Sequence, residues 1–242
     1  MNLQADLSAK TALVTGAGKG LGRAIAKTLA ANGARVYAVA RTEADLLALA
    51  DEQPGIVPLV GDVLTDDFIA AVAALGPIDL LVNNAGSNQP EPMSVVSDET
   101  LDRLIDLNIR SVYRLSRTVS RTMPDGGSII HMSSQMAQVG AANRTVYCMT
   151  KAALEGLCKA MAVELGARGI RVNTLCPTFV LTELTRGFFD NPEFAATVDR
   201  MIAVPGLPTP EHVAAGALYL CSDAAAYVTG TALKIDGGWT AA

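Results

Sequence analysis

The sequence predicts a doubly wound α/β fold, a parallel seven-stranded sheet with helices on both faces. Short apolar runs alternate with helix-patterned segments along the whole chain. The runs are rich in residues that suit strands buried on both faces. A glycine-rich turn joins the first run to the first helix, the connection expected at a ligand crevice. Right-handed crossovers then set the topology.

The first run is TALVTG (11–16), followed by a helix over about 21–32 that stops at Asn32-Gly33. ARVYAVA (34–40) is the second strand, and a helix over about 43–52 ends before Pro54. GIVPLVGDV (55–63) and IDLLVNNAG (78–86) are the third and fourth strands, with a helix at about 66–75 between them. One long helix is expected over 98–122, opened by Ser97 with Asp98 and Glu99 in its first turn. GSIIHMSS (127–134) is the fifth strand, a helix covers 145–167, and IRVNTLCP (170–177) is the sixth strand. The stretch 178–205 reads as irregular, with Gly187, Asn191, Pro192 and Pro205. A helix at 210–222 and the strand ALKID (232–236) complete the pattern. No repeat, linker or low-complexity tract interrupts it, so one domain over 1–242 is expected.

Composition narrows the function. The chain has 242 residues, 50% hydrophobic and 18% charged, which describes a folded globular protein. With 24 acids against 19 bases and no long basic run, nucleic acid is not the expected partner. No apolar run reaches the roughly 18 residues of a membrane helix, and MNLQADLSAK lacks a secretion signal, so the expected location is the cytoplasm. Cys148, Cys158, Cys176 and Cys221 form no CxxC pair and read as reduced thiols. His131 and His212 have no metal-ligand spacing, and no metal site is expected.

In TGAGKGLG (15–22), Gly16, Gly20 and Gly22 allow a tight turn that brings backbone close to a phosphate. The free amides at the helix start then face a pyrophosphate. The spacing is GxxxGxG, not GxGxxG. The second strand ends Val39-Ala40-Arg41, without the carboxylate that binds the ribose hydroxyls of NAD. Arg41 suits a 2′-phosphate by charge and by its forked donors, and Lys19 adds a second cation. The expected cofactor is NADP(H), in preference to NAD(H).

These residues resemble the short-chain dehydrogenase/reductase family. TGAGKGLG is similar to its TGxxxGxG turn, and Asn83-Asn84-Ala85-Gly86 to its NNAG strand end. Ser134, Tyr147 and Lys151 match its Ser and YxxxK elements, and Asn108 in DLNIRSVY matches its fourth catalytic residue. Pro177-Thr178 stands where the family usually has Pro-Gly, Thr182 follows at the familiar spacing, and IDGG (235–238) resembles its final strand and turn. Within the family, TGAGKG, Ala40-Arg41-Thr42, Ser133-Ser134-Gln135 and Val146-Tyr147-Cys148 resemble the dicarbonyl/L-xylulose reductase-like members. Arg144 departs from that group, which tends to carry histidine there, and the 179–206 segment, the expected substrate lid, differs in residue type.

The resemblance implies a Rossmann-type fold and cofactor contacts from Gly16, Lys19, Gly20, Leu21, Gly22, Arg41, Asp62, Val63, Asn84, Ala85, Gly86, Pro177, Val180 and Thr182. Tyr147 and Lys151 would also touch the cofactor, Lys151 at the nicotinamide ribose. Asn108 would hold a water that relays protons to Lys151.

The residues also argue for the chemistry directly. Reducing a carbonyl needs a hydride on carbon and a proton for the developing alkoxide, and the cofactor brings the hydride. Tyr147 is suited to give the proton. Lys151, one helical turn on, is expected to lower the phenol pKa from about 10. Ser134 is expected to hold the substrate oxygen.

Gln135 and Arg144, with Ser134 and Tyr147, are expected substrate contacts, and the substrate is a small sugar, polyol, dicarbonyl or hydroxy acid. Arg144 would pair with a carboxylate or hydroxyls. A homo-oligomer is expected, by resemblance a tetramer. Two rivals stand: a 3-oxoacyl-thioester reductase using Arg114, Arg117 and Arg121 as a basic face, and a non-catalytic nucleotide-binding module.

Overall fold

The computed structural model describes residues 3–182 and 185–241. Seven parallel strands form one sheet: β1 (Thr11–Thr15), β2 (Arg35–Ala40), β3 (Ile56–Val60), β4 (Leu80–Asn83), β5 (Ser128–Met132), β6 (Arg171–Pro177) and β7 (Ala232–Ile235). Their order across the sheet is β3-β2-β1-β4-β5-β6-β7, so the winding reverses between β1 and β4. Loops at that reversal diverge and leave a crevice at the carboxyl ends of the strands.

The helices are α1 (Gly20–Ala31), α2 (Glu43–Glu52), α3 (Asp66–Ala73), α4 (Asp98–Ile105), α5 (Ser111–Ser120), α6 (Thr145–Leu165), α7 (Pro192–Met201) and α8 (Pro210–Cys221). They cover both faces. Successive residues of a strand point to opposite faces, and β1 shows the result. Val14 packs with Ile25 and Leu29 of α1 and Val213 and Leu218 of α8. Leu13 packs with Phe68 of α3, Leu115 and Val119 of α5, and Cys158 of α6. Burying each large aliphatic of this kind contributes about 1.5–3 kcal/mol.

The observed helices differ from expectation in two places. The helix expected over 98–122 is interrupted by a π-helical turn, Asp106–Arg110, between α4 and α5. Such a turn inserts one residue without breaking the apolar stripe, so periodicity passes through it. The stretch expected to be irregular contains α7 and a 3₁₀ turn, Arg186–Asp190. Asn191 caps α7 through its side-chain oxygen, accepting from Glu193 N and Phe194 N, and Pro192 opens it. Residues that read as breakers are the start of a helix, where a missing N–H costs nothing.

Candidate active site

The carboxyl ends of β1, β4, β5 and β6 bring the expected residues to one edge of the sheet. After β1 the chain turns at Gly16 (φ +66°) and Gly20 (φ +55°), both in the left-handed region. A Cβ on Gly22 would lie 2.2 Å from Gly16 O, so only glycine lets α1 start this close to its own strand. Thr15 and Asn84 latch the crevice. Thr15 Oγ1 accepts from Asn84 N and Ala85 N, each at 3.0 Å, and Asn84 Nδ2 donates to Thr15 O at 2.9 Å.

No side chain caps α1, and its first turn carries no acid, so its amino end is open to an anion. Lys19 precedes it and is exposed, and the exposed Arg41 directly follows Ala40, whose Cβ lies 3.2 Å from where a Gly18 Cβ would stand. The chain between β2 and α2 presents no carboxylate before Glu43. Across the turn, Thr182 comes within 3.7 Å of where a Gly20 Cβ would stand. A cleft of about 530 Å³ runs between Gly18, Lys19, Gly20 and Arg23 on one wall and Leu181 and Thr182 on the other. Asp45 of α2 also lines this cleft, its Oδ2 3.4 Å from where a Gly18 Cβ would stand, so the fit to a 2′-phosphorylated dinucleotide rests on the glycine cradle, on Lys19 and Arg41, and on a strand end with no acid before Glu43.

Farther along, Asp62 turns back on its own loop, its Oδ1 accepting from Leu64 N at 3.0 Å, with Val63 buried behind it. Val180, expected at the cofactor, is buried in the core on the α8 side, and its carbonyl accepts from Thr185 Oγ1. Pro177 ends β6.

Ser134, Tyr147 and Lys151 come together where β5 ends against α6. Ser134 Oγ accepts from Met136 N at 3.2 Å and donates to Gln135 Oε1 at 2.8 Å. Gln135, expected at the substrate, is only 2% exposed and lies where it steers the Ser134 hydroxyl. Lys151 Nζ donates to Met132 O at 2.8 Å and lies 5.5 Å from the Tyr147 ring centre.

The expected electrostatics need correction. Burial pushes the Tyr147 phenol up to about 12, against a hydrogen bond from Ser134 and the Arg144 guanidinium, which act to lower it. Lys151 does not offset that burial; its own ammonium is pushed down to about 8 because it too is buried. Both groups sit in the same water-poor pocket, and burial is the largest cause of each shift.

Asn108 sits in the π-helical turn and is 1% exposed. Its Oδ1 accepts from Ser87 N at 2.9 Å; its Nδ2 donates to Ser87 O at 2.9 Å and to Thr150 Oγ1 at 3.1 Å. A Cβ on Gly86 would lie 3.1 Å from Asn108 Oδ1 and 3.6 Å from Lys151 Nζ, so both groups border one small space. Below it, His131 is fully buried, with Nδ1 3.0 Å from Asn83 Nδ2. Burial, then the Lys151 charge, pushes His131 down to about 4. Asn83, His131, Thr15 and Thr150 were not among the expected site residues; Thr15 and Asn83 stand in the two motifs without an assigned role, and nothing marks His131 and Thr150 except their places next to those that were.

Arg144 immediately precedes α6, half-buried, with its guanidinium 5.8 Å from the Phe188 ring centre. Phe188 and Phe189 both lean on Phe194 of α7, which packs edge-on to Phe179. The basic face considered for a carrier protein is partly neutralised. Arg114 pairs with Asp66, and Arg117 lies over the Tyr113 ring.

Known proteins match this architecture throughout. A family model described as enoyl-(acyl carrier protein) reductase matches residues 16–240. D-erythrulose reductase of Gallus gallus is 44% identical over 98% of this chain and 99% of that protein. L-xylulose reductase of Homo sapiens is 42% identical over 97% of this chain and 98% of that protein. A crystal structure from Beutenbergia cavernae, described as an NAD(P)-dependent gluconate 5-dehydrogenase with bound NADP at low occupancy, superposes with a TM-score of 0.92. It is 35% identical over 98% of this chain and 99% of that one. With its TGxxxGxG turn, NNAG strand end and Ser-Tyr-Lys cluster in one crevice, this chain belongs to the short-chain dehydrogenase/reductase family.

Proposed function

We propose that the protein is an NADP(H)-dependent oxidoreductase that interconverts a carbonyl and a secondary alcohol on a small polar substrate. The observation that carries this reading is the meeting of Ser134, Tyr147 and Lys151 at the sheet edge that also bears the open α1 amino end. The relatives named for ketoses support a sugar, polyol, dicarbonyl or hydroxy-acid substrate over a carrier thioester.

The cofactor, when bound, supplies or accepts the hydride. The amides of Gly20, Leu21 and Gly22 at the α1 start would hold its phosphates, with Gly16 keeping the turn tight. Lys19 and Arg41 would hold the 2′-phosphate, Asp62 and Val63 the adenine, and Asn84, Ala85 and Gly86 the adenosine side. Pro177, Thr182 and the Val180 backbone would border the carboxamide. Ser134, its hydroxyl turned from Gln135 Oε1 to the substrate oxygen, donates there and steadies negative charge as it grows. Tyr147, protonated at neutral pH, hands its proton to that oxygen in reduction and must recover an ionised phenol in oxidation. Lys151 places a positive charge behind the phenol, and Asn108 fixes the loop that closes the space beside Lys151.

The same reading takes residues 1–242 as one domain, with the 179–206 segment as its lid. It also takes the protein as a homo-oligomer, by family resemblance a tetramer. The exposed Tyr113 of α5 and Met149 and Val163 of α6 support such a contact, because exposed apolar side chains favour burial by a second copy. No helix among the described residues is long and apolar enough to cross a membrane. The four free cysteines support a reducing compartment, the cytoplasm.

The test is NADPH and NADH absorbance in the presence of sugars, polyols, diketones and hydroxy acids, in both directions. Cofactor turnover with at least one class, faster with NADP(H), is expected. A protein that turns over none of them ends the reading in favour of a silent nucleotide-binding module.

A further inference from the structure

Four buried side-chain polar atoms lack a hydrogen-bond partner among the described residues: Asn88 Oδ1, His131 Nε2, Arg144 Nε and Thr178 Oγ1. His131 lies beneath the catalytic lysine, and Thr178 stands on the cofactor side of the crevice, after β6. Asn88 follows β4 and Arg144 immediately precedes α6. Their loops are tied together, Glu91 N donating to Asn143 O at 3.1 Å.

Arg144 is the unusual member. Among the described residues its one hydrogen bond is a long contact, 3.4 Å, from Nη1 to Asn143 O. Its guanidinium faces Phe188, and no carboxylate among the described residues is within ion-pair distance of it. Glu91, the acid on the adjoining loop, is occupied by Gln89 Nε2 at 2.6 Å. The guanidinium is close enough to Tyr147 to act on its phenol, and burial lowers its own pKa. A half-buried guanidinium with no counter-charge among the described residues carries part of the cost of desolvation, and that cost falls when an anion arrives. With its guanidinium over the Phe188 ring, Arg144 keeps its Nε–H without a partner among the described residues.

We infer that Arg144 and Asn88 form a carboxylate subsite beside Tyr147, which makes the substrate a hydroxy or oxo acid bearing further hydroxyls. This rests on the carbonyl–alcohol chemistry proposed above. Two N–H groups of Arg144 suit the two carboxylate oxygens. Asn88 Oδ1 accepts from a neighbouring hydroxyl. A neutral ketose satisfies the asparagine and leaves the arginine uncompensated. Phe188 carries the subsite on the segment over the crevice, so substrate charge and lid position are joined through one side chain.

The test compares kcat/KM for two oxo acids, 2-oxogluconate and 5-oxogluconate, with that for two neutral ketoses, fructose and sorbose. It uses wild type, Arg144→Ala and Arg144→Lys, each first titrated with NADPH by fluorescence to establish that the cofactor still binds. Wild type is expected to prefer an oxo acid. In Arg144→Ala the acid-to-ketose ratio of kcat/KM should fall by about tenfold or more, whatever loss both classes share, and Arg144→Lys should restore part of it. A ratio that does not move, or a wild type that reduces ketoses and neither acid, overturns the subsite and leaves the carbonyl chemistry standing. Wild type that binds NADPH and reduces neither class here nor any carbonyl in the wider panel overturns both.

Discussion

Lys151 Nζ and the Tyr147 ring centre lie 5.5 Å apart on one face of α6, and the ammonium is anchored at 2.8 Å to the carbonyl of Met132 at the end of β5. Four residues along a helix make just over one turn, so the pair shares a face by construction. The strand-end carbonyl fixes where the charge stands. The site thus joins a helix to the sheet edge through the lysine itself.

The state of Tyr147 sets the pH behaviour. Its phenol, raised to about 12, is protonated throughout the neutral range and ready to act as an acid. Reduction should therefore be flat between pH 6 and 7, below the loss of the Lys151 charge at about 8. Oxidation, which needs the ionised phenol, should climb with pH by up to about tenfold per unit in the alkaline range. Steady-state rates in both directions across that range check this; oxidation that is fastest at acid pH contradicts it.

Arg41 should decide between the two dinucleotides. It is exposed, so water and salt weaken its contribution. Arg41→Ala should raise KM for NADPH about tenfold and leave KM for NADH nearly unchanged. An equal change for both would place the discrimination elsewhere.

His131 ties folding to pH. It is held at about 4 in the folded protein against an ordinary 6.5, so below 6.5 the unfolded chain takes up the proton first. Stability conferred by neutral His131 is complete above 6.5 and is lost as pH falls toward 4, a drop of about 3 kcal/mol. Thermal melts should fall through that window. His131→Asn should melt lower at pH 7 and show a shallower decline. An identical decline in the variant would assign the acid sensitivity to other groups.

Most of the sheet was legible because its strands are buried on both faces and read as unbroken apolar runs. The glycine turn was legible because Gly16, Gly20 and Gly22 each meet a backbone requirement that no other residue meets cheaply. The π-helical turn at Asp106–Arg110 was hidden, since one inserted residue leaves the stripe of Leu104, Val112 and Leu115 looking continuous. α7 was hidden because Asn191-Pro192 signals equally a loop and a helix start. At the site, residue types and spacing identified Ser134, Tyr147 and Lys151. The balance of burial against charge at the phenol, the inward turn of Gln135 and the Arg144–Phe188 contact depend on distances across the fold, which no local pattern carries.

The most direct measurement is the turnover of Tyr147→Phe with a substrate that the wild type reduces, alongside its NADPH affinity by fluorescence. The substitution removes one oxygen from a ring whose packing is unchanged. The account expects cofactor binding close to wild type and kcat lower by about 10²–10⁴-fold or more, the usual worth of a placed acid or base. A phenylalanine variant that reduces the carbonyl at the full wild-type rate would contradict it.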